Sequence, residues 1–88
     1  MEFRWNGWNV EHVGRHGVAP QEAEDVVRGA HRPYPLHRED DKWLVWGRTE
    51  AGRMLQVVYV LDDEDRVFVI HARALTDREG ARFRRRRR

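Results

Sequence analysis

Three β-strand patterns in succession, joined by short connections, limit the fold of this sequence more than any other feature. They cover residues 42–47, 54–61 and 66–73, and each is rich in β-branched or aromatic residues. The connections at 49–52 and 62–65 are too short for the crossover that a parallel pair needs. The patterns therefore predict an antiparallel meander. The four carboxylates at 62–65 lack the spacing and the glycine of a calcium loop, which favours a solvated turn.

Two helices are predicted before these strands. Asn6 can cap a helix that runs to about residue 16, with Gly17 as its left-handed stop, and Val10 and Val13 share one of its faces. Pro20 suits the first position of a second helix. The helical spacing of the second apolar face is carried by Ala23, Val26, Val27 and Ala30.

The remaining segments complete an α+β plan. Residues 2–5 are typical of a short first strand, and residues 31–41, with two prolines and an acidic run, are typical of a loop. Thr76 and Glu79 form a capping-box pattern that predicts a final helix. We expect N-terminal helices and a C-terminal helix packed on a roughly four-stranded, mainly antiparallel sheet.

Length and composition favour one domain, at 1–81, followed by an arginine-rich tail at 82–88. Six of the last seven residues are arginine, so residues 1–81 carry 11 basic against 15 acidic side chains. A chain of 88 residues has a thin stability margin, which a partner would improve. The absence of cysteine excludes disulfides and thiolate chemistry. Without a long apolar run or a signal peptide, a cytoplasmic protein with no membrane association is expected.

The strand at 66–73 holds the best candidate catalytic residues. Period-two alternation places Val67, Val69, His71 and Arg73 on one face and assigns the apolar Phe68, Ile70 and Ala72 to the core. Cleavage of a phosphate ester without a metal needs activation of a hydroxyl nucleophile, neutralisation of the phosphate and a proton for the leaving oxygen. Arg73 can bind phosphate oxygens and His71 can exchange a proton near neutral pH. The alternative is a surface ion-pair pattern.

Other polar residues are weaker candidates. Glu79 can act as a base near Arg73, although its capping role explains it equally well. His12 and His16 have the spacing of a metal pair but lack a third ligand, so no metal or cofactor is expected, and His16 is interpreted as a stabiliser of the helix end. The four tryptophans are expected to be mostly core. Candidate RNA-binding residues are Lys42, Arg48, Arg53, Arg82, Arg84 and Arg85.

Several strings resemble the BrnT family of bacterial toxins. Residues 3–6 (Phe-Arg-Trp-Asn), 15–18 (Arg-His-Gly-Val) and 70–73 (Ile-His-Ala-Arg), followed by Thr76 and Glu79, are similar to family motifs in their order and spacing. The resemblance implies a RelE-like fold, a translation-blocking endoribonuclease that contacts RNA through Arg73, and a cognate antitoxin. It also implies an oligomeric complex that reaches operator DNA through the antitoxin. His71, Phe83 and Arg15 depart from the Ser, Tyr and Lys that are common in the family.

Two other functions remain open at this point. One is a catalytically inactive toxin-fold module that binds nucleic acid or protein through the arginine tail, since the family tyrosine is absent at Phe83. This module would show salt-sensitive binding that is lost when residues 84–88 are removed. The other is a structural subunit whose tail docks on an acidic partner. A solvated helix end explains the tail without any function.

Overall fold

The computed structural model describes residues 1–86, and within them the strands form one antiparallel sheet in the order β1-β2-β3-β4. The elements in chain order are α1 (Gly7–Gly14), α2 (Pro20–Arg28), β1 (Leu36–Arg38), a 3-10 turn (Glu39–Asp41), β2 (Lys42–Arg48), β3 (Met54–Leu61), β4 (Val67–Ala74) and α3 (Asp77–Arg86). The predicted α+β architecture, with two N-terminal helices, three long hairpin-connected strands and a C-terminal helix, is confirmed.

Both predicted hairpin turns are closed by side chains as well as by backbone. In the β2–β3 turn, Thr49 Oγ1 accepts a hydrogen bond from the Arg53 N–H at 3.0 Å, and Gly52 supplies the positive φ of +91°. In the β3–β4 turn, Asp62 Oδ1 accepts the backbone N–H groups of Glu64 and Arg66, both at 2.9 Å. These N–H groups, Arg66 first, hold the pKa of Asp62 well below its usual range. The acidic run is thus a stabilised turn.

Helix α1 begins at its predicted cap but buries a different face. Asn6 accepts hydrogen bonds from the backbone of Trp8 and Asn9, and the helix ends at Gly14, followed by a turn in which Gly17 has a φ of +72°. Val13 is fully buried, whereas Val10 is 41% exposed. The second buried position is Asn9, whose amide is satisfied by the Asn6 N–H and the Arg4 carbonyl.

Helix α2 packs on the sheet as its apolar spacing predicts. Pro20 is its first residue, and Ala23, Val26 and Val27 are buried. Val26 lies directly over Gly47 of β2, where a Cβ would come within 3.1 Å of its Cγ1 atom. The face of the sheet that carries Gly47 and Val45 is therefore the α2 face.

Two sequence predictions for the short elements are wrong. Residues 2–5 do not form a strand, because only Phe3 makes a single parallel bridge to Val67, at the β4 edge of the sheet. The fourth strand lies instead in the predicted 31–41 loop, where β1 pairs with β2 from Leu36 opposite Leu44 to Arg38 opposite Lys42. Three residues are too few to show alternation, and the prolines at 33 and 35 hide the strand that follows them.

A β-bulge in β4 changes which of its residues face the core. Tyr59 pairs with Val69 but Val58 pairs with His71, so Ile70 is an extra residue without a partner on β3. Val67 and Val69 before the bulge are buried, and so is Ala72 after it. The prediction that Phe68, Ile70 and Ala72 share the core face is wrong, because strict alternation does not cross a bulge.

The core includes the C-terminal helix. Phe83 of α3 is 2% exposed, and its ring lies 6.3 Å from that of Tyr34 and 6.5 Å from that of Trp46. The predicted boundary at residue 81 therefore falls inside a helix that packs on the domain. Within residues 1–86, no helix is both long enough and apolar enough to cross a membrane.

Candidate functional site

The side chains that face away from α2 form the second face of the sheet, and the candidate site lies there. Strand pairing aligns Trp46 of β2 with Gln56 of β3, and Gln56 with Arg73 of β4. Because of the bulge, His71 and Phe68 join Arg73 on this face. The expectation that His71 and Arg73 share a face agrees with the register, although the predicted companions Val67 and Val69 lie on the other face.

Arg73 is the centre of a hydrogen-bonded row across this face. Its Nη1 and Nη2 atoms donate to Glu79 Oε1 and Oε2 at 2.7 and 2.9 Å. Nη2 also donates to Gln56 Oε1 at 3.3 Å, and Nη1 to the Ala74 carbonyl at 3.1 Å. Gln56 Oε1 in turn accepts from Trp46 Nε1 at 3.0 Å. The guanidinium is fixed in orientation, and its side chain remains 30% exposed.

Glu79 serves both the helix and the arginine. Its Oε1 atom accepts the Thr76 N–H at 2.9 Å, and Thr76 Oγ1 accepts the Glu79 N–H at 3.1 Å, which is the predicted capping box. The bidentate pair with Arg73 and the Thr76 N–H lower the pKa of Glu79 to about 2. Glu79 is therefore a carboxylate at neutral pH and a weak proton acceptor.

His71 lies in a cluster of imidazoles at the edge of the sheet. Its ring meets the ring of His16 edge-on at a centroid distance of 5.4 Å, and His16 is exposed after the end of α1. Burial, followed by the nearby His16, Arg73 and His12, lowers the pKa of His71 below its usual 6.5. His71 is thus mainly neutral at pH 7 and able to accept a proton.

The predicted RNA-binding residues do not form one surface. Lys42 begins β2 on the second face, four residues before Trp46, and Arg48 ends the same strand with its guanidinium carbon 5.9 Å from the centre of the Phe83 ring. Arg53 instead lies on the helical side, where its Nη1 donates to Glu22 Oε1 at 3.0 Å and to the Gly17 carbonyl at 2.9 Å. This pairing gives Arg53 a structural role that explains it fully.

The C-terminal arginines are divided between the helix and the undescribed end. Arg82, Arg84 and Arg85 are exposed on α3, and the guanidinium carbon of Arg82 lies 5.3 Å from the centre of the Trp46 ring. Arg87 and Arg88, which belong to the predicted tail, lie outside the described residues. Of the predicted RNA-binding set, Arg82 therefore comes closest to the row that contains Arg73.

Tryptophan burial differs from residue to residue. Trp43 and Trp46 lie on opposite faces, as their spacing predicts. Trp46 is 8% exposed, because Arg82 and the rings of Tyr34 and Phe83 pack against it. Trp8 is 54% exposed and stacks on His12 at 4.7 Å, with the Phe68 ring 6.0 Å away. The most exposed tryptophan of the structure thus lies on α1, near the imidazole cluster.

Two residues of the site were missed from the sequence. Gln56 joins Trp46 to Arg73, and its signal was that it is the single polar residue in the apolar pattern of β3. His16 was interpreted as a helix-end stabiliser, but it contacts His71 across the sheet edge. Its distance of 55 positions along the chain from His71 made that contact invisible to local patterns.

The site combines groups that suit phosphate-ester chemistry. A neutral imidazole accepts a proton, a fixed guanidinium stabilises an anion, and a second imidazole lies beside the first. Among residues 1–86, no three His, Cys, Asp or Glu side chains are grouped as metal ligands. No protein-family model, no curated protein and no solved structure matches the chain.

Proposed function

We propose that this protein is an endoribonuclease, the toxin of a toxin–antitoxin pair, which cleaves RNA through its own side chains and blocks translation. The observation that carries the proposal is the placement of His71 and Arg73 on one face, with the His16 ring 5.4 Å from that of His71. The resemblance of residues 3–6, 15–18 and 70–73 to the BrnT family supports the same function, together with a RelE-like fold, a cytoplasmic location and an antitoxin partner.

The roles follow from the positions of the side chains and from the lowered pKa of His71. His71, whose pKa is lowered, accepts the proton of the 2′-hydroxyl, and that oxygen attacks the adjacent phosphorus. Arg73 stabilises the charge that develops on the phosphate oxygens. His16 donates a proton to the departing 5′-oxygen, which leaves a 2′,3′-cyclic phosphate on one product. Glu79 orients Arg73 and is a positioning residue in this scheme.

Incubation of the purified chain with single-stranded RNA in EDTA tests the proposal. We expect fragments that end in a 2′,3′-cyclic phosphate, and a rate at least about 100-fold lower for His71→Ala and Arg73→Ala. Arg53→Ala is the matched control, because it removes an arginine that pairs with Glu22 on the helical side. Intact RNA after incubation with the wild-type chain would contradict catalysis.

A second candidate is a binding module of the same fold without catalysis. It is favoured by the engagement of Arg73 with Glu79 and by the exposed arginines on α3. This module binds RNA with a strong salt dependence and leaves it uncut. Equal binding by wild type and His71→Ala, with intact RNA in both, would identify it.

A further inference from the structure

A groove of about 190 Å³ lies on the second face beside Arg73, and none of the proposed catalytic residues lines it. Its apolar floor is formed by Leu36 of β1 and by Leu44 and Trp46 of β2. Arg38 of β1 and Arg82 of α3 also line it. The groove is smaller than the roughly 300 to 1,000 Å³ of sites that enclose a whole small molecule, so it suits one unit of a polymer.

The two arginines of the groove have no carboxylate partner among the described residues. Arg38 is exposed, and the acidic turn Glu39–Asp41 that follows it places no carboxylate within 4.0 Å of its guanidinium. Arg82 contacts the face of Trp46 rather than an acid. Arg4, Arg53 and Arg66, by contrast, are each paired with a carboxylate at 3.0 Å or less. The groove thus keeps the positive charge of two arginines that no carboxylate of the described residues neutralises.

Gln56 connects the groove to the proposed catalytic residues. Its Oε1 atom accepts from both Trp46 Nε1 and Arg73 Nη2, and its side chain lines the groove. Because the oxygen is engaged, the Nε2 amino group is the part of the amide left to donate to a ligand, and it makes no hydrogen bond to any described residue. A group bound in the groove therefore lies one side chain away from Arg73.

We propose that this groove holds one nucleotide of a single-stranded RNA, next to the phosphate that Arg73 contacts. The base lies on the part of the floor formed by Leu36 and Leu44 and accepts a hydrogen bond from Gln56, while Arg38 and Arg82 contact flanking phosphates. A paired base could not reach this floor, because its edge and faces are covered in a duplex. The assignment rests on the proposed ribonuclease function and specifies how its substrate is held.

Binding of a fluorescent 2′-O-methyl RNA heptamer, which cannot be cleaved through the 2′-hydroxyl, tests the assignment. For Arg38→Ala we expect a Kd about five- to tenfold higher and a slope of log Kd against log salt that is lower by about 1. Arg28→Ala on α2 removes the same charge from the helical side and is expected to leave both values unchanged. An unchanged Kd and slope for Arg38→Ala would overturn the assignment and leave the groove to a protein partner.

A second arm tests the base. A heptamer of the same phosphates that lacks all bases should bind at least about tenfold more weakly, since the apolar contact of the base and one amide hydrogen bond are lost. Equal affinity for the two oligomers would show that only charge is recognised, and this would end the nucleotide assignment. If Arg38→Ala binds RNA more weakly and the wild type does not cleave RNA, the groove assignment is supported and the ribonuclease proposal is refuted. Normal cleavage by the wild type, together with RNA binding that Arg38→Ala leaves unchanged, supports the ribonuclease and refutes the groove assignment.

Discussion

Arg73 already uses most of its hydrogen-bonding capacity inside the protein. A guanidinium has five N–H donors, and four hydrogen bonds run from Arg73 to Glu79, Gln56 and Ala74. A phosphate that approaches Arg73 must therefore share or displace the carboxylate of Glu79. The strength of this pair sets how readily the site accepts an anion.

Glu79→Gln is expected to strengthen RNA binding, because it removes the negative charge beside Arg73 and keeps a side chain that can complete the capping box. We expect the Kd of the uncleavable heptamer to fall about three- to fivefold. Glu22→Gln is the matched control, since Glu22 also receives a backbone N–H, from Ala19, and pairs with an arginine. A Kd that does not change in Glu79→Gln would show that the pair does not limit access.

His71 should titrate below 6.5, because burial and the cations around it disfavour the protonated form. Its contribution to folding stability is present above pH 6.5 and decreases as the pH falls from there toward the folded-state pKa. NMR titration of the His71 ring protons measures this value directly. The cleavage rate should rise with pH through the same range, because His71 becomes available as the base. A His71 pKa above 6.5 would remove its assignment as the base.

At the level of elements, the hydrophobic patterns and the turn residues predicted the long, regular strands and helices. The meander of β2, β3 and β4, the Asn6 cap of α1, the Thr76 and Glu79 capping box and the Pro20 start of α2 are visible in the sequence because each has a local cause. β1 and the bulge at Ile70 are not, because both depend on pairing with a neighbouring strand. For the site, His71, Arg73 and Glu79 were found through alternation and capping, whereas Gln56 and His16 required the assembled sheet.

The contact between α2 and β2 depends on the absence of a side chain at Gly47. A Cβ there would come within 3.1 Å of Val26 Cγ1 and 3.3 Å of the Val26 carbonyl oxygen, so Gly47→Ala should destabilise the protein by about 1–3 kcal/mol. Gly80→Ala is the comparison, because its Cβ would meet the mobile methyl end of Met54 and the helix gains propensity. Urea unfolding measures both. Equal stability of the two variants would show that α2 moves to accommodate the added Cβ with no loss in the free energy of unfolding.

For the whole molecule, charge is concentrated in two segments, an acidic turn and a basic helix. The turn after β3 carries an acidic cluster at 62–65, whereas α3 carries several exposed arginines. The depression at the acidic turn, about 360 Å³ and lined by Asp62, Asp63 and Glu64 with two arginines, is larger than the groove but repels polyanions. RNA is therefore expected to approach from the α3 side.

The double variant Arg84→Ala, Arg85→Ala tests this division of charge. Both side chains are exposed and alanine favours the helix, so the free energy of unfolding should change by less than about 0.5 kcal/mol. If RNA follows α3, the salt slope of binding should fall by about 2, one unit for each lost phosphate contact. Glu11→Gln, Glu50→Gln is a control that changes the net charge elsewhere by two units of the opposite sign and should not lower the slope. An unchanged slope in the arginine variant would place RNA on another side of the molecule.

The bulge at Ile70 gives β4 one residue more than its pairing with β3 requires. Valine, isoleucine and leucine can replace one another on the α2 face with little loss. Deletion of the single codon for Ile70 would remove the unpaired residue and leave a regular strand, because Val69, His71, Ala72 and Arg73 already follow the consecutive partners Tyr59, Val58, Val57 and Gln56. Descendants of this chain can therefore lose that one residue and keep the same chemistry, whereas the loss of a second residue would turn part of β4 to the opposite face.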